Sequence, residues 1–279
     1  MGAGFSTQRT GTIRPNNPIN TKTQAEIASM REGGKRLGTI LQKLLDAAHV
    51  GVSLNTLEEM ADDLITKAGG TASFKTVKGY RWATCLCVNE VVVHGIPTDY
   101  MLQDGDILTI DVGMLYKGFH TDTAWTKIIT LPRHPREGGD PALEKMNFLR
   151  VGEKALWKAI DQARVGNRIG HISRTIQTIV EGAGYNIVKT LVGHGIGREL
   201  HDPPQIPGFL KGSIEDSPLL EEGMTIAIEI IYAMGSGVIV YGNSDGWTLA
   251  TQDRSLSAVF EHSVVIAREG PVILTKADA

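Results

Sequence analysis

The chain has 279 residues, 42% hydrophobic and 21% charged, with a formal net charge of -3. This composition is that of an ordinary globular protein with a sizeable core. No basic run indicates a nucleic-acid ligand, and no stretch approaches the ~20 apolar residues of a membrane helix. The two cysteines, Cys85 and Cys87, are too close together to predict a disulfide framework, so we expect a reducing compartment, the cytoplasm.

The chain begins with a predicted flexible extension, residues 1–22, which lacks the apolar core of a signal peptide. Apolar residues then recur at helical spacing over roughly 24–49 and again within 51–70, where Gly69 is a typical helix-ending residue. We therefore expect two consecutive helices in this part of the chain.

Residues 106–129 have the alternation of a β-hairpin with its turn near YKG at 116–118. With two central turn residues, Asp111 lies opposite either Asp122 or Ala124, and in both cases Asp111 and Asp122 share a face. Their Cβ atoms would then be about 4.5–8 Å apart. Two like charges so placed among apolar residues require a raised pKa or a cation, whereas solvated carboxylates at a sheet edge are the alternative.

A segment rich in proline, glycine and charge, residues 131–141, is predicted to be an exposed loop. It would join two halves of one domain, at about 23–130 and 142–275. Two further helices are expected in the second half, over roughly 142–163 and within 166–185.

The two halves share a sequence pattern. GNRIGHISRTIQTIVEGAGY (166–185) aligns with GVSLNTLEEMADDLITKAGG (51–70), and LEEGMTIAIE (220–229) aligns with LQDGDILTID (102–111). A weaker match pairs LVGHGIG at 191–197 with VVVHGIP at 91–97. Three matches in the same order favour a duplicated α+β half over chance recurrence of helices and strands. Because the second match places a carboxylate at the same position in each half, we expect a site between the halves.

The second half adds histidines and carboxylates to this pattern. His194 and His201 lie in the glycine-rich segment LVGHGIGRELHDPP, and Glu229 and Glu261 lie inside apolar strands without Lys or Arg nearby. A lone buried charge is expensive, so these carboxylates need a partner. Oxygen ligands with one imidazole favour divalent Mn, Fe, Co or Zn over a cysteine-rich structural zinc site. Four carboxylates favour two metal ions.

In order and spacing, these residues resemble the active site of methionine aminopeptidases. The resemblance to the family's five metal ligands is carried by Asp111, Asp122 in HTDT, His194 in GHGIG, Glu229 in TIAIE and Glu261 in FEH. His94 in VVVHGIP and His201 in ELHDPP resemble its two further active-site histidines. The resemblance covers about residues 24–275. Only 35 residues separate His194 from Glu229, so the large insertion of type II enzymes has no room and type I is indicated.

The resemblance implies a pita-bread α+β fold with two pseudo-symmetric halves and a dinuclear metal site between them. The implied activity is removal of the N-terminal methionine from peptides and nascent proteins with a small second residue, by a metal-bound water or hydroxide. The implied cofactors are two divalent ions among Co, Mn, Fe and Zn. The implied partners are N-terminal Met peptides and nascent chains, with the ribosome as a candidate and neither nucleic acid nor a membrane. The implied state is a monomer.

The family pattern also implies a role for each metal ligand. Asp111 would bind one metal ion, and His194 would bind the other together with Glu229. Asp122 and Glu261 would bridge both ions.

The substrate would be held by residues around the metal ions. By the same resemblance, Glu229 would transfer the proton, His201 would stabilise the developing oxyanion and His94 would contact the scissile amide nitrogen. The methionine pocket would be lined by Tyr80, Cys85 and Trp247, for which ordinary core packing is the alternative. The chain departs from the family at Ile230, Leu200 and Val77, where a proline and two aromatic residues are usual, so a wider pocket is expected.

Two other functions are compatible with such a sequence. A proline-specific peptidase of the same fold, a prolidase or Xaa-Pro aminopeptidase, usually has a sizeable extra N-terminal domain, for which only about 22 residues are present in this chain. A non-catalytic pita-bread binding protein typically loses metal ligands, whereas this chain has all five.

Overall fold

The computed structural model describes residues 21–131 and 141–277. The predicted extension up to residue 20 and the predicted loop from 132 to 140 lie outside these ranges. The helices of the described residues are α1 (Gln24–Ala47), α2 (Leu54–Lys67), α3 (Pro141–Asp161) and α4 (Ile169–Gly182), with a short 3-10 helix at Ser73–Thr76. The strands of the first half are β1 (Thr71–Ala72), β2 (Thr84–Val88), β3 (Val91–Val93), β4 (Ile107–Tyr116) and β5 (Phe119–Ile128). Those of the second half are β6 (Asn186–Ile187), β7 (Val192–Gly195), β8 (Asp202–Pro207), β9 (Thr225–Ala233), β10 (Ile239–Tyr241), β11 (Leu249–Thr251), β12 (Ser257–Ala267) and β13 (Gly270–Ile273).

The helices begin and end where local chemistry predicts. Thr23 and Glu26 form a capping box at the start of α1, in which each side chain binds the other's backbone N–H. Helices α2 and α4 are followed by Gly69 and Gly184, whose φ angles are 77° and 86°. A glycine reaches this left-handed region without a Cβ clash, so both helices end at the glycines that the sequence indicated.

The main sheet joins the two halves edge to edge. Its strand order is β1-β4-β5-β12-β9-β7-β8, with β2 also paired to β4, β6 to β9 and β13 to β12. Helix α1 packs on β4 and β5, and α3 packs on β9 and β12. Each half therefore contributes two helices and a part of the same antiparallel sheet, which confirms the α+β prediction.

The helices cover one face of this sheet. In β4, the alternate residues Leu108, Ile110 and Val112 are fully buried in the core beneath α1 and α2. In β9, Ile228 and Ile230 are buried likewise in the core beneath α3 and α4. Successive side chains of a strand point to opposite faces, so the odd-numbered residues of both strands face away from the helices.

The β4–β5 hairpin resolves the register that the sequence left open. Its two central turn residues, Lys117 and Gly118, have φ angles of 49° and 81°, as a two-residue hairpin turn requires. Asp111 therefore lies opposite Ala124, and Asp122 lies opposite Gly113.

The third sequence match between the halves is wrong. His194 pairs with Ala227 in β9, and the corresponding residue of β4, Thr109, pairs with Cys87. Cys87 is thus the counterpart of His194 by register. His94 instead follows β3, which belongs to a separate three-stranded sheet with β10 and β11. The HGI letters follow β3 of the three-stranded sheet in one case and overlap the end of β7 of the main sheet in the other, and sequence similarity alone does not distinguish these settings.

Candidate active site

A row of side chains crosses the helix-free face of the main sheet. Strand pairing places residues of five adjacent strands side by side: Cys85, Asp111, Ala124, Glu261 and Glu229. Asp122 lies on the same face of β5, two residues from Ala124. The carboxylates of both halves therefore meet around a position where the sheet carries only a methyl group.

His194 completes this cluster from the neighbouring row. Its Nδ1 lies 2.9 Å from the Gly195 carbonyl oxygen, which only accepts hydrogen bonds, so Nδ1 carries the proton. The Nε2 lone pair then faces the Glu229 carboxylate, with Nε2 and Oε1 3.4 Å apart. Two acceptors at this distance need a proton or a cation between them, and a backbone bond to Nδ1 is the usual way to aim an imidazole at a metal.

The donor set fits divalent metal ions. Ligand atoms of Asp122, His194 and Glu261 all lie within 4.8 Å of one another. Among the described residues, the buried oxygens Asp111 Oδ1 and Glu261 Oε1 have no hydrogen-bond partner. A buried carboxylate oxygen without a donor is costly, and a cation bound by several carboxylates removes that cost. Asp111, Asp122, His194, Glu229 and Glu261 are thus suited to hold the metal.

The pKa shifts of the clustered side chains also favour a bound cation. Burial, followed by the charge of Glu229, raises the pKa of Asp111 to about 8. Burial also raises the pKa of Asp122, Glu229 and Glu261, and the neighbouring carboxylates add to the effect. Burial lowers the pKa of His194 to about 3, so its ring is neutral, as a metal ligand must be.

Two further histidines approach the cluster from different elements. His201 lies at the end of the loop between β7 and β8, and its ring contacts that of His194 with centroids 4.5 Å apart. His94 follows β3 in the left-handed region, with φ 56°, and lines the same cavity. Burial lowers the pKa of both histidines to about 4, so near neutral pH each is an uncharged hydrogen-bond donor or acceptor.

One cavity of about 100 Å³ brings every predicted site residue together. It is lined by Asp111, Asp122, His194, Glu229, Glu261, His94, His201, Tyr80, Cys85 and Trp247, and also by Phe74, Val77, Val93 and Leu200. Tyr80 and Trp247 meet edge to face at 5.1 Å, and the Tyr80 hydroxyl donates to the Thr84 carbonyl at 2.7 Å. Sequence analysis did not predict Phe74 or Val93 as lining residues. Val93 directly precedes His94 in VVVHGIP, but an apolar residue there is equally typical of a core strand, and Phe74 lies outside every motif.

A large sheet of two equivalent halves with acidic and imidazole ligands between them is the architecture of a metallopeptidase. The model of metallopeptidase family M24 matches residues 28–268, so the chain belongs to that family. Members of this family use divalent metal, which agrees with the donor set of the cavity.

Comparison with individual proteins assigns the chain to one group within this family. The chain is 41% identical over 257 residues to the methionine aminopeptidase of Clostridium perfringens, covering 92% of this chain and 98% of that one. It superimposes with a TM-score of 0.85 on the solved methionine aminopeptidase of Thermotoga maritima, at 36% identity, covering 93% of this chain and 100% of that one. Within M24 the chain therefore belongs to the methionine aminopeptidases, as the sequence resemblance indicated.

The solved prolidase of Pyrococcus furiosus also matches, with a TM-score of 0.72 and 20% identity, covering 94% of this chain and 66% of that one. At this identity the match supports the fold alone. The pita-bread fold is thus confirmed, and the prolidase alternative is less well supported than the methionine aminopeptidase assignment.

Proposed function

We propose that this chain removes the N-terminal methionine from peptides and nascent proteins with a small second residue. The observation that carries the proposal is one cavity in which the five proposed metal ligands, two neutral histidines and an aromatic wall converge. An exopeptidase needs these three parts together, because it must polarise a carbonyl, stabilise the charge that develops on it and recognise one terminal side chain.

The proposed cofactors are two divalent ions, drawn from Co, Mn, Fe and Zn. Four carboxylates and one imidazole are more ligands than one ion needs, which supports two ions sharing carboxylates. Asp122 and Glu261 lie nearest the middle of the cluster and are the proposed bridging ligands, with Asp111 at one end and His194 and Glu229 at the other. When bound, such ions supply Lewis acidity that polarises the substrate carbonyl and makes a water molecule more acidic.

The side chains around the cluster have distinct proposed roles. His201 donates a hydrogen bond to the oxygen that becomes negative, and His94 contacts the amide nitrogen of the scissile bond. Glu229, with 14% of its side chain exposed to the cavity, moves the proton between water and the leaving amine. The free α-amine of the substrate would be held at the metal site formed by these ligands, which would restrict cleavage to the first residue.

The methionine side chain is proposed to lie against Tyr80, Cys85 and Trp247. A flexible thioether packs well on aromatic faces and edges, and these rings are already fixed by their mutual contact. Leu200 and Val77 line the same wall, so slow cleavage of an N-terminal leucine is expected as well.

The proposed setting is the cytoplasm, where the chain acts as a monomer on nascent chains and the ribosome is a candidate partner. Support comes from Cys85 and Cys87, which are buried and free, as is usual in a reducing compartment. No helix in residues 21–131 and 141–277 is long and apolar enough to cross a membrane.

The test is hydrolysis of matched peptides by the purified chain, loaded in turn with each metal. Met-Gly and Met-Ala peptides should be cleaved, whereas Met-Leu and Met-Lys peptides should resist. Efficient cleavage of Ala-Pro together with inert Met-Gly would support the proline-specific peptidase instead. No hydrolysis with any metal would support a non-catalytic binding protein.

A further inference from the structure

The loop that carries His201 contacts residues 22–26, which lie near the beginning of the described residues and lead into α1. Residues 196–201 connect β7 to β8, and Leu200 and His201 of this loop line the active-site cavity. Three contacts between residues 22–26 and residues 197–202 hold the loop and the residue that follows it.

The first contact is a buried ion pair. The Nζ atom of Lys22 lies 3.8 Å from Oδ2 of Asp202, and the two side chains are only 4% and 12% exposed. Asp202 directly follows His201 and is the first residue of β8. The backbone N–H of Lys22 donates to the Gly223 carbonyl at 2.7 Å, which fixes the lysine to the turn before β9. Removing one member of such a pair leaves the other charge buried without compensation.

The second contact is steric. A Cβ atom on Gly197 would overlap the aliphatic stem of Lys22, so the glycine lets the loop backbone lie directly on that side chain. The Gly197 carbonyl also accepts a hydrogen bond from the His120 backbone N–H at 2.7 Å. The base of the loop is therefore held between Lys22 and the end of the β4–β5 hairpin.

The third contact ties the tip of the loop to α1. The Arg198 guanidinium lies 2.9 Å from Oε1 of Glu26 and packs over the Phe119 ring, 4.7 Å from its centroid. The other carboxylate oxygen of Glu26 accepts from the Thr23 backbone N–H at 2.8 Å, in the helix cap. One glutamate thus caps the helix and binds the loop.

We propose that Lys22 is a positioning residue for His201, acting through Asp202 and assisted by the Glu26–Arg198 pair. His201 is on an irregular loop, where its direction is set by what holds the loop and not by a strand. A hydrogen bond to a developing oxyanion depends steeply on direction and distance. The proposal rests on the role of His201 in the proposed function.

The test compares Lys22→Met with the unaltered chain on a Met-Gly peptide. Methionine keeps the apolar stem over Gly197 and removes the charge. Because a small misplacement far from the chemistry can cost up to about a hundredfold, kcat should fall between about tenfold and a hundredfold while KM changes far less. Metal content, measured by elemental analysis, should stay the same, since the ion-pair partner of Lys22 is Asp202, which is not one of the five proposed metal ligands.

A double-mutant cycle separates positioning from general destabilisation. Asp202→Asn should lower kcat by a similar factor, and the double variant should be no slower than either single variant, because both changes break one contact. Glu32→Gln is the matched control on α1, since Glu32 binds Arg36, Tyr116 and Lys117 and does not touch the loop. It should lower the melting temperature slightly and leave kcat unchanged.

A Lys22→Met variant with the kcat of the unaltered chain would overturn the proposed positioning role of Lys22. A loss of kcat that Glu32→Gln matches, or that loss of metal explains, would overturn it as well. If Lys22→Met does not fold, Arg198→Gln breaks the exposed tie instead, and an unchanged kcat in that variant would also overturn the proposal. An unaltered chain that leaves Met-Gly intact would overturn the proposed function, and with it the proposed positioning role of Lys22.

Discussion

The imidazole rings of His194 and His201 contact each other, with centroids 4.5 Å apart and planes inclined by 66°. Their surroundings nevertheless differ. His194 lies on a strand, its Nδ1 is held by the Gly195 carbonyl and its Nε2 faces Glu229. His201 lies on the loop beyond, among residues that face the substrate cavity. Two histidines in contact can therefore have separate tasks.

Substituting each histidine should give a different loss. His194→Ala should weaken metal binding, and excess metal should recover part of the activity. His201→Ala should keep its metal and its melting temperature but lose about a hundred- to a thousandfold in kcat, the usual value of one oxyanion donor. Calorimetric metal titration of both variants decides between them. Loss of metal from His201→Ala but not from His194→Ala would reverse the two assignments.

Removing the metal should abolish hydrolysis and lower the melting temperature, because the ions bind only the assembled site.

The metal-free protein should also lose stability as pH rises from 6.5 to 8. Burial raises the pKa of Asp111 to about 8, so the folded state keeps a proton that the unfolded chain loses near 3.8. The buried histidines act in the opposite direction, but only below their ordinary pKa of 6.5. Calorimetric scans of the metal-free protein should show this fall in melting temperature, and added metal should make the dependence on pH weaker. A melting temperature that rises with pH over this range would contradict the raised pKa of Asp111.

Asp245 should control the selectivity of the pocket without touching the substrate. Its carboxylate accepts from the backbone N–H groups of Trp247 and Thr248 at 2.7 and 2.8 Å, and from the Thr248 hydroxyl at 2.6 Å. Asp245→Ala should release the indole ring, raise KM for Met-Gly roughly tenfold and reduce the preference for methionine over leucine. Asp253→Ala is the control, because Asp253 makes a similar turn with Ser236 and Ser255 away from the cavity. Equal kinetic effects of the two variants would argue against a pocket role.

The packing of α3 on the sheet depends on the absence of one methyl group. A Cβ atom on Gly152 would lie 2.5 Å from the Tyr232 hydroxyl oxygen and 2.6 Å from Cδ2 of Phe260. Gly152→Ala should therefore destabilise the protein by about 1–3 kcal/mol in urea unfolding. Gly182→Ala, on α4 with nothing within 4 Å, should be neutral or stabilising by up to about 1 kcal/mol. Equal stabilities would show that α3 shifts freely on the sheet.

The sequence predicted those parts of the site that strand alternation controls. Asp111 and Asp122 had to share a face in either register, and the buried positions of Glu229 and Glu261 indicated the cation. It did not predict that the three-stranded sheet would bring His94 to the cavity, because long-range pairing of β3 with β11 leaves no local pattern. Lys22 was assigned to a flexible extension, since its partner Asp202 is 180 residues away and a single lysine has no periodicity.

The position of β12 has a consequence for the newly made protein. This strand, the last but one of the described strands, lies in the middle of the sheet between β5 and β9. Until it emerges, the two halves have no common strand and Glu261 is missing from the metal cluster. Synthesis proceeds from the N-terminus, so a growing chain that ends before β12 lacks Glu261 and has an incomplete set of proposed metal ligands. The peptidase centre of this chain can therefore form only after β12 has been synthesised.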